Sequence, residues 1–271
     1  MREDVLAWAA AVVGPILEVH PLHDDQGPWR LVTRDRSVVL RAPTPRIDTA
    51  RIATAAAALQ LAERYGVPAP RLIATDPAAS LETVVPGTSD WPVGTPESLR
   101  AAGATLARLH TIPLEPSAHL PFRPRPIAVD DFATDRRTGR MPTTPLLEEA
   151  DNIVQAHGLP PGPSVFIHGD IWPGNLIWST NTVAALIDWK TAGAGPPGVD
   201  LSELRKQAAI TFGPEAPTHA LTGWQQTTTH EASHVPYWDA VAALNTPTTL
   251  YSPTATTRRN AFLTQALTQL R

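Results

Sequence analysis

The chain has 271 residues, 42% of them hydrophobic, which is enough to bury a sizeable core in one large domain or two closely associated lobes. Its 22 basic and 26 acidic residues are interspersed and give a net charge of -4, which argues against nucleic acid or an anionic membrane as a partner. The sequence contains no cysteine, which excludes disulfides, thiolate zinc sites and thiol catalysis, and we expect a cytoplasmic location.

The first 87 residues predict a small lobe that contains a β-sheet. A mostly apolar stretch at residues 5–16 predicts an amphipathic helix, and we expect neither a signal peptide nor a membrane span. Apolar residues at helical spacing predict a second helix, which is capped by Asp48 or Thr49 and stopped by Gly66. Four strands are predicted, at residues 29–33, 37–41, 71–75 and 80–85.

The second lobe is predicted to be mainly helical. Pro86-Gly87 breaks the last strand of the small lobe, so we place the lobe boundary here, with residues 1–87 in the first lobe and residues 88–271 in the second. Helical spacing begins at Thr95 and again at Leu201. A Thr- and Pro-rich segment at residues 245–257 predicts a loop before a last helix, and this loop is a candidate lid. Three short strands are predicted between the helices, at residues 164–168, 176–178 and 183–188.

The densest polar chemistry follows two of these short strands. Asp170 lies directly after the first strand, Asn175 follows five residues later, and Asp188 follows thirteen residues after that. Phosphoryl transfer needs a group that accepts the proton of the attacking hydroxyl and metal ions that offset the phosphate charge. The spacing is that of a kinase catalytic loop with a downstream metal ligand. It predicts Asp170 as the catalytic base and Asn175 and Asp188 as ligands of Mg²⁺, which prefers hard oxygen donors.

These motifs resemble the aminoglycoside phosphotransferase and choline kinase-like family of small-molecule kinases. Val38–Arg41 is similar to the strand that carries the basic phosphate contact in this family, and Leu106–His110 is similar to the helix after the hinge. The resemblance implies an α+β, two-lobed protein-kinase-like fold, with a small antiparallel-sheet N-lobe and a larger, mainly helical C-lobe. In such a fold residues 1–87 would bind the nucleotide, and residues 88–271 would carry catalysis and bind the acceptor. It also implies a phosphotransferase that uses ATP and an alcohol group as acceptor.

The resemblance further implies contacts to the nucleotide and supports for the catalytic loop. Arg41 would contact the phosphates of ATP, and His168 and Asp200 would hold the catalytic loop in place. The adenine hinge would be formed by the backbone of Thr83, Val84 and Val85.

Three departures from the family pattern stand beside this resemblance. The small-lobe helix has no Glu at residues 54–58, where the family places the partner of the basic strand residue, so Arg41 is expected to bind phosphate unaided. Pro196 stands where related sequences carry Asp in Gly-Asp-Pro. The glycine-rich phosphate loop is reduced to Gly27 within residues 24–28.

Several functional alternatives remain open at this stage. The acceptor is expected to be an antibiotic or related natural product, with a sugar, nucleoside or amino alcohol of metabolism as the alternative. Residues 200–271 carry five acidic and five basic side chains, which counts against a polycationic acceptor. The three departures motivate a nucleotide-binding pseudokinase, and a metal hydrolase built on the same acids is a weaker reading.

Two further sets of residues have a packing or surface interpretation. Of the tryptophans near the catalytic segment, Trp172, Trp178 and Trp189, we expect at least two to pack in the core. The histidines His219, His230 and His234 lack a compact metal-ligand spacing and are expected at the surface.

Overall fold

The computed structural model of the chain describes residues 3–23, 27–45, 47–91, 94–125, 131–228 and 230–271, so residues 24–26 of the reduced phosphate loop lie outside it. Within these ranges the chain forms nine strands and nine α-helices. The strands are β1 (Ile16–Pro21), β2 (Trp29–Thr33), β3 (Ser37–Arg41), β4 (Leu72–Asp76), β5 (Ala79–Thr83), β6 (Val165–Ile167), β7 (Leu176–Ser179), β8 (Thr182–Leu186) and β9 (Gly193–Gly195). The helices are α1 (Glu3–Val13), α2 (Thr49–Tyr65), α3 (Pro96–His110), α4 (Phe132–Arg137), α5 (Pro145–His157), α6 (Gly198–Phe212), α7 (Ala216–Thr228), α8 (Val235–Leu244) and α9 (Pro253–Leu270).

The N-terminal strands form one antiparallel sheet in the order β1-β2-β3-β5-β4. Side chains alternate between the two faces of a strand, and the apolar set on one face of β2, β3 and β5 is buried against α1. Leu31, Leu40 and Leu81 of this set are fully buried. The predicted fold class, a small antiparallel sheet followed by a mainly helical part, is confirmed, and the lobe boundary at Gly87 stays a prediction.

The first helix is shorter than its sequence predicts, and a strand follows it. Helix α1 ends at Val13, and Gly14 adopts a positive φ of 87° that turns the chain into β1. Strand β1 lies at the edge of the sheet, and none of its six residues is buried. An exposed edge strand has no buried face to impose an alternating pattern, which explains why the sequence did not reveal it.

Helix α2 begins and ends where the sequence predicts. The side chain of Asp48 caps it by accepting a hydrogen bond from the backbone N–H of Arg51, and Gly66 closes it with a φ of 66°. Its alanine-rich face packs on the turn at residues 189–191 of the large lobe. Small side chains allow this close approach, which gives a structural reason for alanine at residues 55–58.

Helices α3 and α7 approach each other closely at two glycines. A Cβ atom on Gly103 would lie 2.0 Å from the carbonyl oxygen of Ala220, and one on Gly223 would lie 2.1 Å from that of Arg100. Both obstacles are backbone atoms, so the helices would have to move apart to admit a methyl group. The small residues therefore fix the distance between these two helices.

We expect Gly103→Ala to lower the free energy of unfolding by about 1–3 kcal/mol, because overpacking outweighs the better helix propensity of alanine. Urea denaturation measures this change. Gly162→Ala is the matched control, since a Cβ atom there meets nothing within 4 Å and the residue has no positive φ. Equal stability of the two variants would contradict the close-packing argument.

The loop before the last helix is shorter than predicted and is held by two buried arginines. Helix α9 begins at Pro253, with Ser252 as its N-cap. Arg136 donates to the carbonyl oxygens of Leu244 and Thr246, and Arg259 donates to three groups of residues 246–248. These bonds tie residues 244–248 to α4 and α9, and a lid formed by residues 245–257 stays a prediction. None of the described helices is both long and apolar enough to cross a membrane.

Candidate active site

The loop after β6 brings Asp170 and Asn175 into contact. Nδ2 of Asn175 donates to the backbone oxygen of Asp170 at 2.9 Å and to Oδ2 of its carboxylate at 3.3 Å. Since the amide nitrogen faces Asp170, the amide oxygen of Asn175 faces away from it and is available to a cation. The backbone N–H of Ile187 donates to the carbonyl oxygen of Asn175 at 2.9 Å, which links this loop to the segment that carries Asp188.

The buried side chain of Asp200 binds the start of this loop. Its carboxylate is fully buried and accepts from the backbone N–H of His168 at 2.7 Å and of Gly169 at 2.8 Å, while Nε2 of His110 lies 3.2 Å away. Burial alone would raise the pKa of Asp200, but His110 and the backbone donors keep this pKa below its usual value. Gly169 has a φ of 83°, and a Cβ atom there would lie 2.5 Å from the carbonyl oxygen of Thr191. The tight loop therefore needs glycine beside the buried carboxylate.

His168 connects the two segments of the site through both ring nitrogens. Its Nε2 lies 2.9 Å from the carbonyl oxygen of Ile187, and its Nδ1 lies 3.3 Å from the backbone N–H of Asp170. These contacts define the tautomer in which Nε2–H donates to Ile187 and Nδ1 accepts from Asp170. The ring also packs against Trp189, at 4.6 Å between centroids.

We expect Asp200→Asn to lower both stability and turnover. An amide cannot accept at both of its ends, so one buried N–H of the loop loses its partner, at a cost of about 1–3 kcal/mol. Thermal unfolding and kcat under saturating substrate are the measurements. Glu215→Gln, an exposed residue of the same lobe, is the control and leaves both unchanged. A fully active Asp200→Asn enzyme would show that the loop is held by other contacts.

Arg41 has two acidic partners, neither of which the sequence predicted. Its Nε donates to Oε1 of Glu82 at 2.8 Å, and its Nη1 donates to Oδ1 of Asp188 at 2.8 Å. Burial alone would lower the pKa of Arg41, but the two carboxylates raise it above the ordinary arginine value. The expectation that Arg41 has no acidic partner was therefore wrong, because Glu82 on the neighbouring strand takes the place of a helix carboxylate.

The acids at the two ends of the small-lobe helix, Asp48 and Glu63, have other partners. Asp48 caps α2, and Glu63 lies 3.3 Å from exposed Arg71. Glu82 reaches Arg41 because β3 and β5 pair with Glu82 opposite Val39, two residues before Arg41. Residues two apart lie on the same face of a strand, so Glu82 and Arg41 are diagonal neighbours.

Lys190 is a functional candidate that the sequence analysis missed. Its Nζ contacts Oδ2 of Asp188 and lies 3.6 Å from Oδ2 of Asp170, and its side chain is only 11% exposed. Burial raises the pKa of Asp170, and the charge of Lys190 opposes that rise. Burial also acts to raise the pKa of Asp188, but Arg41 and Lys190 lower it to about 2. The sequence feature that could have identified Lys190 is its position two residues after Asp188, the predicted metal ligand.

The donor set at this site fits a magnesium ion. Asp188 is ionised at neutral pH, and it adopts a left-handed backbone conformation, with φ 67° and ψ 55°, that is uncommon for a residue other than glycine. Strained backbone of this kind is concentrated at functional sites. The carboxylate of Asp188 and the amide oxygen of Asn175 are the hard oxygen donors that Mg²⁺ prefers.

The segment after β5 places the predicted hinge beside the large lobe. Strand β5 ends at Thr83, whose N–H and hydroxyl both bond to the backbone of Arg71 at 2.9 Å, and Val84 and Val85 follow outside the strand. Thr88 then exchanges two backbone hydrogen bonds with Trp178 of β7, at 3.1 and 2.8 Å. The hinge segment is therefore held at both ends, and its contact with adenine stays a prediction.

The tryptophans and histidines lie largely where expected. Trp178 and Trp189 are each 1% exposed, so the packing interpretation is confirmed for two of the three, whereas Trp172 is 43% exposed beside the catalytic loop. His230 and His234 are exposed, and His219 is half-buried.

Comparisons with known proteins agree with this fold. The chain has the fold of a macrolide 2′-phosphotransferase from Brachybacterium faecium, with 20% identity, a TM-score of 0.63, and coverage of 96% of this chain and 98% of that one. It is similar to the choline kinase LicA from Streptococcus pneumoniae, with 15% identity, a TM-score of 0.64, and coverage of 99% and 98%. It is also similar to a thermostable mutant of the aminoglycoside phosphotransferase APH(4)-Ia in a ternary complex with AMP-PNP and hygromycin B, with 11% identity, a TM-score of 0.63 and 98% coverage of both chains. No curated protein sequence matches this chain.

The fold and the arrangement of acids define a phosphotransferase. The profile described as the phosphotransferase enzyme family matches residues 18–244, so the chain belongs to this family. The predicted family, the kinase-like fold and the alcohol-group phosphotransferase class are thereby confirmed.

Proposed function

We propose that this phosphotransferase transfers the γ-phosphoryl group of ATP to a hydroxyl of an antibiotic or related natural product. The observation that carries the chemistry is the convergence of Asp170, Asn175 and Asp188, with Arg41 and Lys190 beside them. Three carboxylate or amide groups and two cations that are linked by side-chain contacts match what phosphoryl transfer demands, which is positioning and charge neutralisation.

Asp170 orients the acceptor hydroxyl and accepts its proton as the hydroxyl oxygen attacks the γ-phosphorus. Its carboxylate accepts a hydrogen bond from Nδ2 of Asn175 at 3.3 Å, and its backbone N–H donates to Nδ1 of His168 at 3.3 Å. This preorganisation matters because a base must lie within hydrogen-bond distance of the proton that it abstracts.

Asn175 and Asp188 would hold Mg²⁺, which neutralises phosphate charge in this class of reaction. Arg41 fixes the position of Asp188 through Nη1. Its Nε is occupied by Glu82, which leaves Nη2 as the donor for a non-transferred phosphate. The backbone of Thr83, Val84 and Val85 would contact the adenine.

The charge balance of the large lobe supports an acceptor that is not a polycation. Residues 200–271 carry five acidic and five basic side chains, and the carboxylate of Asp200 is already bound to the catalytic loop. A macrolide kinase is among the structural neighbours, as are a choline kinase and a kinase bound to hygromycin B, so the fold alone leaves the acceptor open.

The lack of an acidic partner for Arg41 was one reason for the pseudokinase alternative, and this reason no longer applies. Glu82 supplies the partner of Arg41 that the helix lacks. Pro196 lies at the start of α6, where its carbonyl oxygen accepts from the N–H of Val199 at 3.1 Å, and thus serves a helix start. The ionised Asp188 and the supported Asp170 loop favour an active enzyme.

The experiment is ADP release from MgATP across macrolides, aminoglycosides, other hydroxyl-bearing antibiotics, nucleosides, sugars and amino alcohols. We expect turnover with an uncharged or weakly charged antibiotic or natural product. Turnover with only a sugar, nucleoside or amino alcohol would contradict the antibiotic assignment and support the metabolic kinase. ATP binding without turnover on any acceptor would support the pseudokinase.

A further inference from the structure

Lys190 lies where a cation would bridge the catalytic base and the metal ligand. Its ammonium contacts Oδ2 of Asp188 and is 3.6 Å from Oδ2 of Asp170, while Oδ1 of Asp188 is bound by Arg41. Both oxygens of Asp188 therefore already carry a positive partner. Lys190 also lines a small cavity between the lobes together with Arg41, Arg51 and Pro28.

The position of Lys190 is set by the fold. It belongs to the short turn at residues 189–191, which follows the left-handed Asp188 and packs against α2. Trp189 is 1% exposed, and its indole N–H donates to the carbonyl oxygen of Leu186 at 2.8 Å. A turn anchored in this way directs Lys190 back toward Asp170 and leaves it little freedom to reach bulk solvent.

We propose that Lys190 is a catalytic residue whose ammonium contacts the transferred phosphoryl group and takes the place of one of the two metal ions that protein kinases use. The enzyme then works with a single divalent cation on Asn175 and Asp188. This inference rests on the proposed phosphotransfer reaction. A second divalent cation between Asp170 and Asp188 would have to displace Lys190, whose ammonium already lies between these two carboxylates.

The chemistry balances without a change in the protonation of Lys190. A lone pair on the acceptor oxygen forms the new bond to the γ-phosphorus, and the bond from that phosphorus to the β–γ bridging oxygen breaks and releases ADP. The hydroxyl proton passes to the carboxylate of Asp170. The ammonium keeps its three protons and donates hydrogen bonds to a phosphoryl oxygen whose charge needs a counter-ion in the transition state.

The test counts Mn²⁺ by electron paramagnetic resonance on the full chain saturated with AMP-PNP, and it needs no acceptor. We expect one tightly bound Mn²⁺ in the wild type, two in Lys190→Met, and one in Lys190→Arg, which keeps the charge. Arg108→Met removes an exposed cation of the same lobe and is the control, with one Mn²⁺. Thermal unfolding establishes that each variant is folded.

Two Mn²⁺ in the wild type, or equal counts in the wild type and Lys190→Met, would overturn the proposal. Once an acceptor is identified, we also expect kcat of Lys190→Met to fall by about 100-fold at limiting Mg²⁺, where the second cation site is empty, with the KM for ATP within about threefold, because the contact is made in the transition state. If the wild type binds one Mn²⁺ but phosphorylates no acceptor, the proposed function is contradicted, while the proposed effect of Lys190 on the number of bound metal ions still holds. The two failures are therefore distinguishable.

Discussion

Asp170→Asn is expected to lower kcat by about 10²- to 10⁴-fold, the range that general-base catalysis contributes, while the affinity for ATP stays within about threefold. Asparagine has nearly the same shape as aspartate but cannot accept the proton of the acceptor hydroxyl. The amide oxygen of the new side chain can still accept from Nδ2 of Asn175, which also donates to the backbone oxygen of residue 170, so the loop keeps these contacts.

Steady-state ADP release and equilibrium nucleotide binding together measure this prediction. Asp35→Asn makes the same chemical change in the exposed turn between β2 and β3 and is expected to have no effect on either quantity. Wild-type turnover in Asp170→Asn would assign the proton transfer to another group and would remove Asp170 from the mechanism.

Glu82→Ala is expected to produce the largest loss of stability, about 3–5 kcal/mol in the free energy of unfolding. Glu82 is 2% exposed, and its removal leaves the guanidinium of Arg41 buried with only Asp188 as an acidic partner. Removing one partner of a buried ion pair lowers the stability of the fold strongly, because the charge of the other partner stays buried away from water. Arg41 would also lose the contact that orients it toward Asp188, so we expect weaker binding of MgATP.

The matched control is Glu63→Ala on α2. Glu63 is 3.3 Å from Arg71, and both side chains are more than half exposed. An exposed pair of this kind contributes at most about 1 kcal/mol. Urea denaturation of the two variants should therefore differ by several kcal/mol, and similar losses in both would contradict the role assigned to the buried pair. Glu82→Gln, which keeps an acceptor for Nε of Arg41, should fall between the wild type and Glu82→Ala.

The parts of the site that could be predicted from the sequence are those within one contiguous segment. Asp170 and Asn175 lie on a single loop, and Asp188 follows a hairpin of two short strands. Residues at these fixed spacings along the chain therefore lie close together in the fold. The limits of α2 could be predicted for the same reason, because an N-cap and a left-handed glycine act locally.

The missed contacts depend on how distant segments pair. Glu82 and Arg41 are 41 residues apart and meet only because β3 and β5 pair in one particular register. A shift of one residue in this pairing would place Glu82 on the other face of the sheet, and the local sequence does not determine which register forms. Lys190 likewise meets Asp170 only after β6 and the turn at residues 189–191 are brought together.

The most direct test of the phosphotransfer account is mass spectrometry of the acceptor after incubation with MgATP and the wild-type enzyme or Asp170→Asn. The account predicts that the wild type adds one phosphoryl group to a hydroxyl of an uncharged or weakly charged natural product, and that Asp170→Asn adds it at least about 100-fold more slowly. Release of free phosphate with an unmodified acceptor, or equal product from both proteins, would contradict it.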